Sequence, residues 1–335
     1  MMKKLLAAVL CLLMLCACAL AEEVSATVTL SDEGIKVSGS GVTVEGRKVM
    51  FISGGTYEVT GSLSDGRLIV DAENVTLRLV DVTLGCKDND AITVKKEQSA
   101  VIEIPEGTET VLTVTGSADN IKGAIRNRGS LSVTGAGTLT VAGCPAAGIH
   151  SSADLSVTGV TLSLRTEGDG IHAKEDVTLT GVSGTIEAGD EGIQCGDDGE
   201  NIEGDLRLND CDLRLVTAGD ALRTDLGDVM ITGSTLRVIG EKNAVETPGT
   251  LTLEESTLAA ITGKAALNAG AAEPDFTCKL VSPLAEGTAV TLTDGTGNVL
   301  LSSDALPWEL KRVTVTGTDT AGLTLTRDGT AETLN

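Results

Sequence analysis

Through the middle of the chain, apolar and polar residues alternate in short runs, and the runs return at a nearly fixed distance. Following one apolar position gives Ile125, Ile149, Ile171, Ile193, Leu222, Val245 and Leu267, in steps of 24, 22, 22, 29, 23 and 22 residues. From Ile149, further apolar residues follow at Leu155, Val157, Leu162 and Leu164; from Val245 the same offsets give Leu251, Leu253, Leu258 and Ala260. One inserted residue shifts the set after Leu222 to Val229, Ile231, Leu236 and Val238. A longer insertion around Asp197-Asp198-Gly199-Glu200 delays the set after Ile193 to Leu206, Leu208, Leu213 and Leu215. Each unit therefore predicts three short alternating strands separated by Gly, Asn or Asp turns.

A period of about 22 residues with three strands and no helical pattern predicts an all-β chain, a right-handed parallel β-helix with one unit per coil. Successive coils stack at the inter-strand spacing of about 4.8 Å, so equivalent apolar residues form interior ladders. A leucine-rich repeat has a similar period but needs a fixed asparagine ladder and a helical segment, which are not visible in the pattern. Before the repeats, stretches such as "LIVDAENVTLRLVDVTL" (68–84) read as looser first coils with an N-terminal cap, and residues 101–121, with Pro105 and Gly107, as an irregular excursion. The period stops after Gly270. There "AVTLTDGTGNVLLSS" (289–303) reads as a hairpin turning at Asp294-Gly295, with strands following in "KRVTVTG" and "GLTLTRDG". The expected division is residues 22–270 as β-helix with its N-terminal cap and 271–335 as a C-terminal β-hairpin cap over the otherwise open last coil.

Composition fits a core made this way. Aromatic residues are 1% of the chain, essentially Phe51, Tyr57, Phe276 and Trp308, while Gly numbers 40. A narrow core of stacked aliphatics does not need aromatics; a sugar-stacking platform usually does. At the start, Met1-Met2-Lys3-Lys4 and the apolar run Leu5–Leu20 precede the small residues Ala19 and Ala21, which predicts a signal peptide over 1–21 cleaved after Ala21 and a secreted protein. Lipoprotein anchoring at Cys18 is the alternative, on a loose lipobox at Leu15–Cys18. The apolar run is short for a membrane span and no second one follows, so membrane insertion is not expected. The formal charge of −23 excludes nucleic acid as a partner. Five cysteines remain beyond residue 21 (Cys86, Cys144, Cys195, Cys211 and Cys278), an odd number without metal-type spacing, which reads as small buried thiols.

The segments "GAIRNRGSLSVTGAGTLTVAG" (123–143), "GIHSSADLSVTGVTLSL" (148–164), "GDGIHAKEDVTLTG" (168–181) and "GTYEVTGSLSDG" (55–66) resemble a family of secreted bacterial carbohydrate-binding proteins. The resemblance covers roughly residues 50–330. It implies a parallel β-helix related in fold to polysaccharide lyases, calcium as a bound cation, and attachment to cellulose-like and pectic polymers without catalysis.

Two rows of residues carry the candidate chemistry. Two positions before the buried aliphatic the units read Gly123, Ala147, Asp169, Glu191, Asp220 and Asn243, with Asp90 on an earlier coil and Asp190 beside Glu191. Carboxylates one coil apart repel by roughly 3–4 kcal/mol at an effective dielectric near 20. A calcium ion held by Asp169, Asp190, Glu191 and Asp220 relieves that repulsion; turn residues that only cap backbone amides are the plainer alternative. Just after the aliphatic, the outward row reads Arg126, His150, His172, Gln194, Arg223, Glu246 and Asn268. His150 and His172 are the only histidines. Arg126, His150, His172, Gln194 and Arg223 make a candidate polysaccharide groove, the arginines facing uronate carboxylates; an ordinary hydrated face is the alternative.

Three functions follow for weighing: a non-catalytic binder of plant cell-wall-type or acidic polysaccharide, a calcium-dependent polysaccharide lyase, and a structural or adhesive surface β-helix. A lyase needs a Lys or Arg base poised near neutral pH, with Lys174, Arg126 and Arg223 as the available groups. Lys174 sits in "AKED", whose acids favour its charged form, so binding without catalysis is the expected function. Without exposed aromatics, an anionic or soluble polysaccharide bridged by calcium is favoured over crystalline cellulose, against part of what the resemblance implies.

Overall fold

The computed structural model describes residues 23–117, 119–197, 199–264, 267–269 and 275–334. The expected signal peptide over 1–21, Asp198 of the acidic insertion and the expected boundary at 270/271 lie outside the described residues. The described chain is all-β, with 35 strands and no helix. One unit shows how it is built. Ile171–Ala173, Val177–Thr180 and Ser183–Ala188 are three strands, and each pairs in parallel with its counterpart one repeat on, Ile171 with Ile193, Val177 with Leu206 and Ser183 with Asp212. First strands collect in an 11-stranded sheet, and second and third strands lie in a 20-stranded one. These are the first, second and third faces below.

The apolar row predicted from the period is one register row of the first face. Ile92, Ile125, Ile149, Ile171, Ile193, Leu222, Val245 and Leu267 pair successively. The first seven are fully buried and Leu267 is partly so. Each such side chain contributes about 1.5–3 kcal/mol on removal from water. The second strands repeat the arrangement through Leu155, Val177, Leu206, Val229 and Leu251.

Between second and third strands the chain turns in two residues, and the first adopts a left-handed conformation at Gly159, Gly181, Asp210, Gly233 and Glu255, with φ from 50° to 75°. Glycine recurs there because it takes that conformation without strain. The second turn residue points inward, as Val160, Val182, Cys211, Ser234 and Ser256, all buried. The hydroxyls of Ser234 and Ser256 accept the amides of Cys211 and Ser234 at 2.9 and 3.0 Å. Cys211 thus serves as a small inward residue, and all five cysteines described are free thiols.

Residues 101–121 are not an irregular excursion. Ser99–Ile104 and Glu109–Thr115 are regular strands that pair in parallel with Ser130–Gly135 and Thr138–Gly143. The unit is masked in the sequence because Pro105 and Gly107 form its turn and the 116–122 loop lengthens the step from Ile92 to Ile125. At the N-terminal end Val24–Leu30 pairs in parallel with Gly55–Leu63 and antiparallel with Lys36–Gly39. Phe51 and Tyr57 pack there with ring centroids 5.0 Å apart, both fully buried. At the other end Leu310–Thr316 pairs antiparallel with Thr257–Thr262, occupying an edge that the parallel stack leaves open. The expected hairpin forms between Val290–Thr293 and Val299–Ser303, within a four-stranded antiparallel sheet over its own apolar cluster.

Candidate functional site

On the first face, the residue after each buried aliphatic points outward, so that Thr93, Arg126, His150, His172, Gln194, Arg223, Glu246 and Asn268 form one row, paired strand by strand. The two histidine rings stack with centroids 5.2 Å apart and planes 14° from parallel. Burial depresses the His150 imidazole to about 4, with the neighbouring His172 adding to it, so His150 is neutral at pH 7. His172 Nδ1 lies 2.8 Å from Asp169 Oδ2, which holds the proton on Nδ1 and leaves Nε2 as the free ring atom. Arg126 is 3.6 Å from buried Asp90. Gln194 donates to Asp225 Oδ2 at 3.1 Å and Arg223 to Asp225 Oδ1 at 2.9 Å, so two members of the row are oriented by one carboxylate.

The acids two positions before the aliphatic fall into two kinds. Asp90 accepts the amides of Lys122 and Gly123, Asp169 that of Glu191 at 3.2 Å, and Asp220 that of Asn243 at 2.9 Å. These aspartates cap the backbone of the following unit. Glu191 is different. Only 4% exposed, it lies with Asp169 and Asp190 so that one oxygen from each carboxylate falls within 4.8 Å of the others. Burial pushes its carboxyl up to about 7, reinforced by Asp190 and Asp169. Arg223 Nη1 and Lys242 Nζ are each 3.6 Å from it, and Lys242 is 3.8 Å from Asp190. Of the four residues expected to hold a cation, Asp169, Asp190 and Glu191 converge; Asp220 stands one repeat on, buried, with Asn243 on its Oδ1. Asp220 instead belongs to a neighbouring hollow with Arg223, Lys242, Asn243, Glu246, Lys264 and Asn268.

Lys242 and Lys264 escaped the sequence reading although they recur 22 residues apart, in the position that Asp190 holds two and three units earlier. A second aspartate row escaped it as well. Asp154, Asp176, Asp205 and Asp228 each precede the first apolar residue of a second strand, and each accepts the backbone amide of the residue in the same position one unit on, at 2.7–3.1 Å. The repeated Asp-Leu and Asp-Val pairs were the available signal. Arg207 ties Asp176 to Asp205, at 2.5 Å from each. Lys174 is held by Asp197 at 2.8 Å and Glu200 at 2.7 Å, and these bonds raise its pKa, Asp197 contributing most. The acidic insertion is thereby strapped to the adjacent unit.

A family model described as carbohydrate-binding domain-containing protein matches residues 45–320. A protein of that same description from Acetivibrio thermocellus (strain ATCC 27405) is 27% identical over 154 residues, 43% of this chain and 54% of the relative. The chain thus matches about half the length of that relative. Among solved structures, one titled as the polysaccharide lyase-like protein from C. thermocellum, in a gadolinium derivative, superposes with a TM-score of 0.62 at 22% identity, covering 73% of this chain and 100% of that one. At that identity the likeness is one of fold.

Proposed function

We propose, from the premise that the chain belongs to the family of carbohydrate-binding domain-containing proteins, that it is a secreted, non-catalytic receptor for an acidic polysaccharide. In this reading the parallel-paired units wind as a right-handed β-helix of about 22 residues per coil, the hand following from the rule for parallel crossovers. The signal peptide over 1–21 directs export, and residues 271–335 cap the last coil.

The observation that carries the reading is the convergence of Asp169, Asp190 and Glu191 beside a hollow that holds Arg223, Lys242 and Lys264. Three carboxylates sharing one spot, one of them buried, are an oxygen-only donor set suited to calcium. Calcium there supplies the charge that offsets their repulsion and a contact for a uronate carboxylate. The chain's own cations do the rest: Arg223 offers a fork oriented by Asp225, and Lys242 and Lys264 add point charges along the same face. The lining of this hollow contains no aromatic ring, so charge and hydroxyl contacts, rather than stacking, hold the polymer.

Against lyase activity stands the state of each available base. Lys174 is held charged by two carboxylates, Arg126 faces Asp90, and Arg223 is bonded to Asp225. A β-elimination base must lose its proton near neutral pH, and such partners favour the protonated form. The test is retention on immobilised polygalacturonate in calcium. An Arg223→Ala, Lys264→Ala double variant should be retained at least tenfold less than the wild type, with a cooperative melting curve that shows it folded. Equal retention of the folded variant removes this hollow from the binding surface.

A further inference from the structure

Glu191 is a buried acid whose carboxylate accepts no hydrogen bond among the described residues. The residue is 4% exposed and its side chain turns into the acid cluster. Arg223 Nη1 and Lys242 Nζ approach the same oxygen, Oε1, and both stop at 3.6 Å, beyond hydrogen-bonding length. A buried carboxylate in that state gains from any cation that comes into full contact with it.

The two cations that stand off from it are held differently. Arg223 is anchored elsewhere, donating through Nε to Asp225 Oδ1 at 2.9 Å. Lys242 has no such anchor. Its loose contacts with Glu191 and with Asp190, at 3.8 Å, are its ion pairs among the described residues, and its side chain is partly exposed. A four-carbon stem lets the ammonium swing. Lys242 also lines the neighbouring hollow with Arg223, Lys264 and Glu246, so one ammonium serves two places. It cannot keep the first of them once a divalent cation is bound by the same carboxylates, because like charges at that range repel.

We propose that Lys242 is a tethered counter-cation: its ammonium neutralises Asp190 and Glu191 until calcium takes those carboxylates, and it is then released to the hollow, where it meets the polymer. The proposal rests on the reading that calcium and an acidic polysaccharide bind on this face, and adds that they bind cooperatively. Calcium frees a charge for the polymer, and by the reciprocity of linked binding the polymer tightens calcium by the same factor.

The experiment has two arms. In the first, calcium is titrated calorimetrically at pH 9, above the range in which Glu191 holds a proton, into the wild type, Lys242→Met and Lys264→Met, with and without oligogalacturonate. Melting curves check that each variant is folded. Lys242→Met should bind calcium about tenfold more tightly than the wild type. Lys264→Met removes the same charge from the hollow but not from the cluster, and should change calcium affinity less than about twofold. Oligogalacturonate should tighten calcium severalfold in the wild type and much less in Lys242→Met. In the second arm, an amine-acetylating reagent should modify wild-type Lys242 severalfold faster in calcium than in EDTA, with the rate at Lys264 unchanged. If Lys242→Met does not fold, the wild-type labelling decides. A folded Lys242→Met that binds calcium no more tightly than the wild type overturns the proposal, as does a labelling rate at Lys242 that calcium does not change. Tighter calcium binding by Lys242→Met with no binding of oligogalacturonate upholds the displacement and refutes the polysaccharide reading. A wild type that binds no calcium refutes the displacement together with the calcium site.

Discussion

Replacing Glu191 by glutamine should stabilise the calcium-free protein at pH 8 and leave it nearly unchanged at pH 5. The residue is 4% exposed and its carboxyl is raised from 4.5 to about 7, first by burial and then by Asp190 and Asp169. A folded-state value above the unfolded one means the folded protein holds this proton more tightly. The resulting stability is fully present below about pH 4.5 and is lost as the pH climbs through 7. At about 1.4 kcal/mol per pKa unit, the ionised carboxylate costs on the order of 3 kcal/mol at pH 8. That cost is already net of the attraction to Lys242, 3.6 Å away, so glutamine removes it with no further term for this contact. The gain is on the order of 3 kcal/mol, several degrees in Tm for a chain of this size. Thermal melts in EDTA from pH 5 to 8 measure it directly. Parallel wild-type and Glu191→Gln curves across that range, or a variant that melts lower at pH 8, refute the buried-acid account. In calcium the gap between the two should close. A ligand in hundredfold excess over its Kd adds about 2.7 kcal/mol to the wild type, and most of that should vanish in Glu191→Gln.

Three further outcomes follow from the same geometry. Ile171→Ala, at a fully buried register position, should cost about 2–5 kcal/mol in denaturant unfolding, whereas His172→Ala on the same strand costs under about 1 kcal/mol. His150, depressed to about 4 by burial and by His172, makes the fold lose stability as the pH falls from 6.5 towards 4, because the unfolded chain takes the proton first. His150→Gln should flatten that part of the pH–stability curve, and a wild-type slope retained in the variant assigns it elsewhere. Lys174→Ala should leave polygalacturonate retention unchanged and loosen the 197–204 segment, read as faster amide exchange there.

The parts of the fold legible in the sequence are those governed by period. The apolar offsets from Ile149 to Leu267 place the first-face ladder and the outward row correctly, because a parallel stack converts a constant step into register. The unit over 99–115 was hidden because its loop stretches the step beyond the period, although its strands alternate as regularly as the others. The site was legible one row at a time and not across rows. Asp169 and Glu191 follow the period, but the period does not say whether an acid turns towards its neighbours or caps an amide. Asp169 does both, accepting the Glu191 amide while converging with Asp190 and Glu191, whereas Asp220 stays on the amide of Asn243. Asp225 was overlooked because it lies just past the end of the Leu222–Thr224 strand, outside the outward row, yet it accepts from Arg223.

The most direct test of binding without catalysis is a titration of the protein with oligogalacturonate, following heat of binding and ultraviolet absorbance of unsaturated product together. Saturable binding in calcium that is lost in EDTA, with absorbance flat throughout, is the expected result. Calcium-dependent growth of that absorbance, abolished by Lys174→Ala or Arg223→Ala, would establish a lyase and contradict the account.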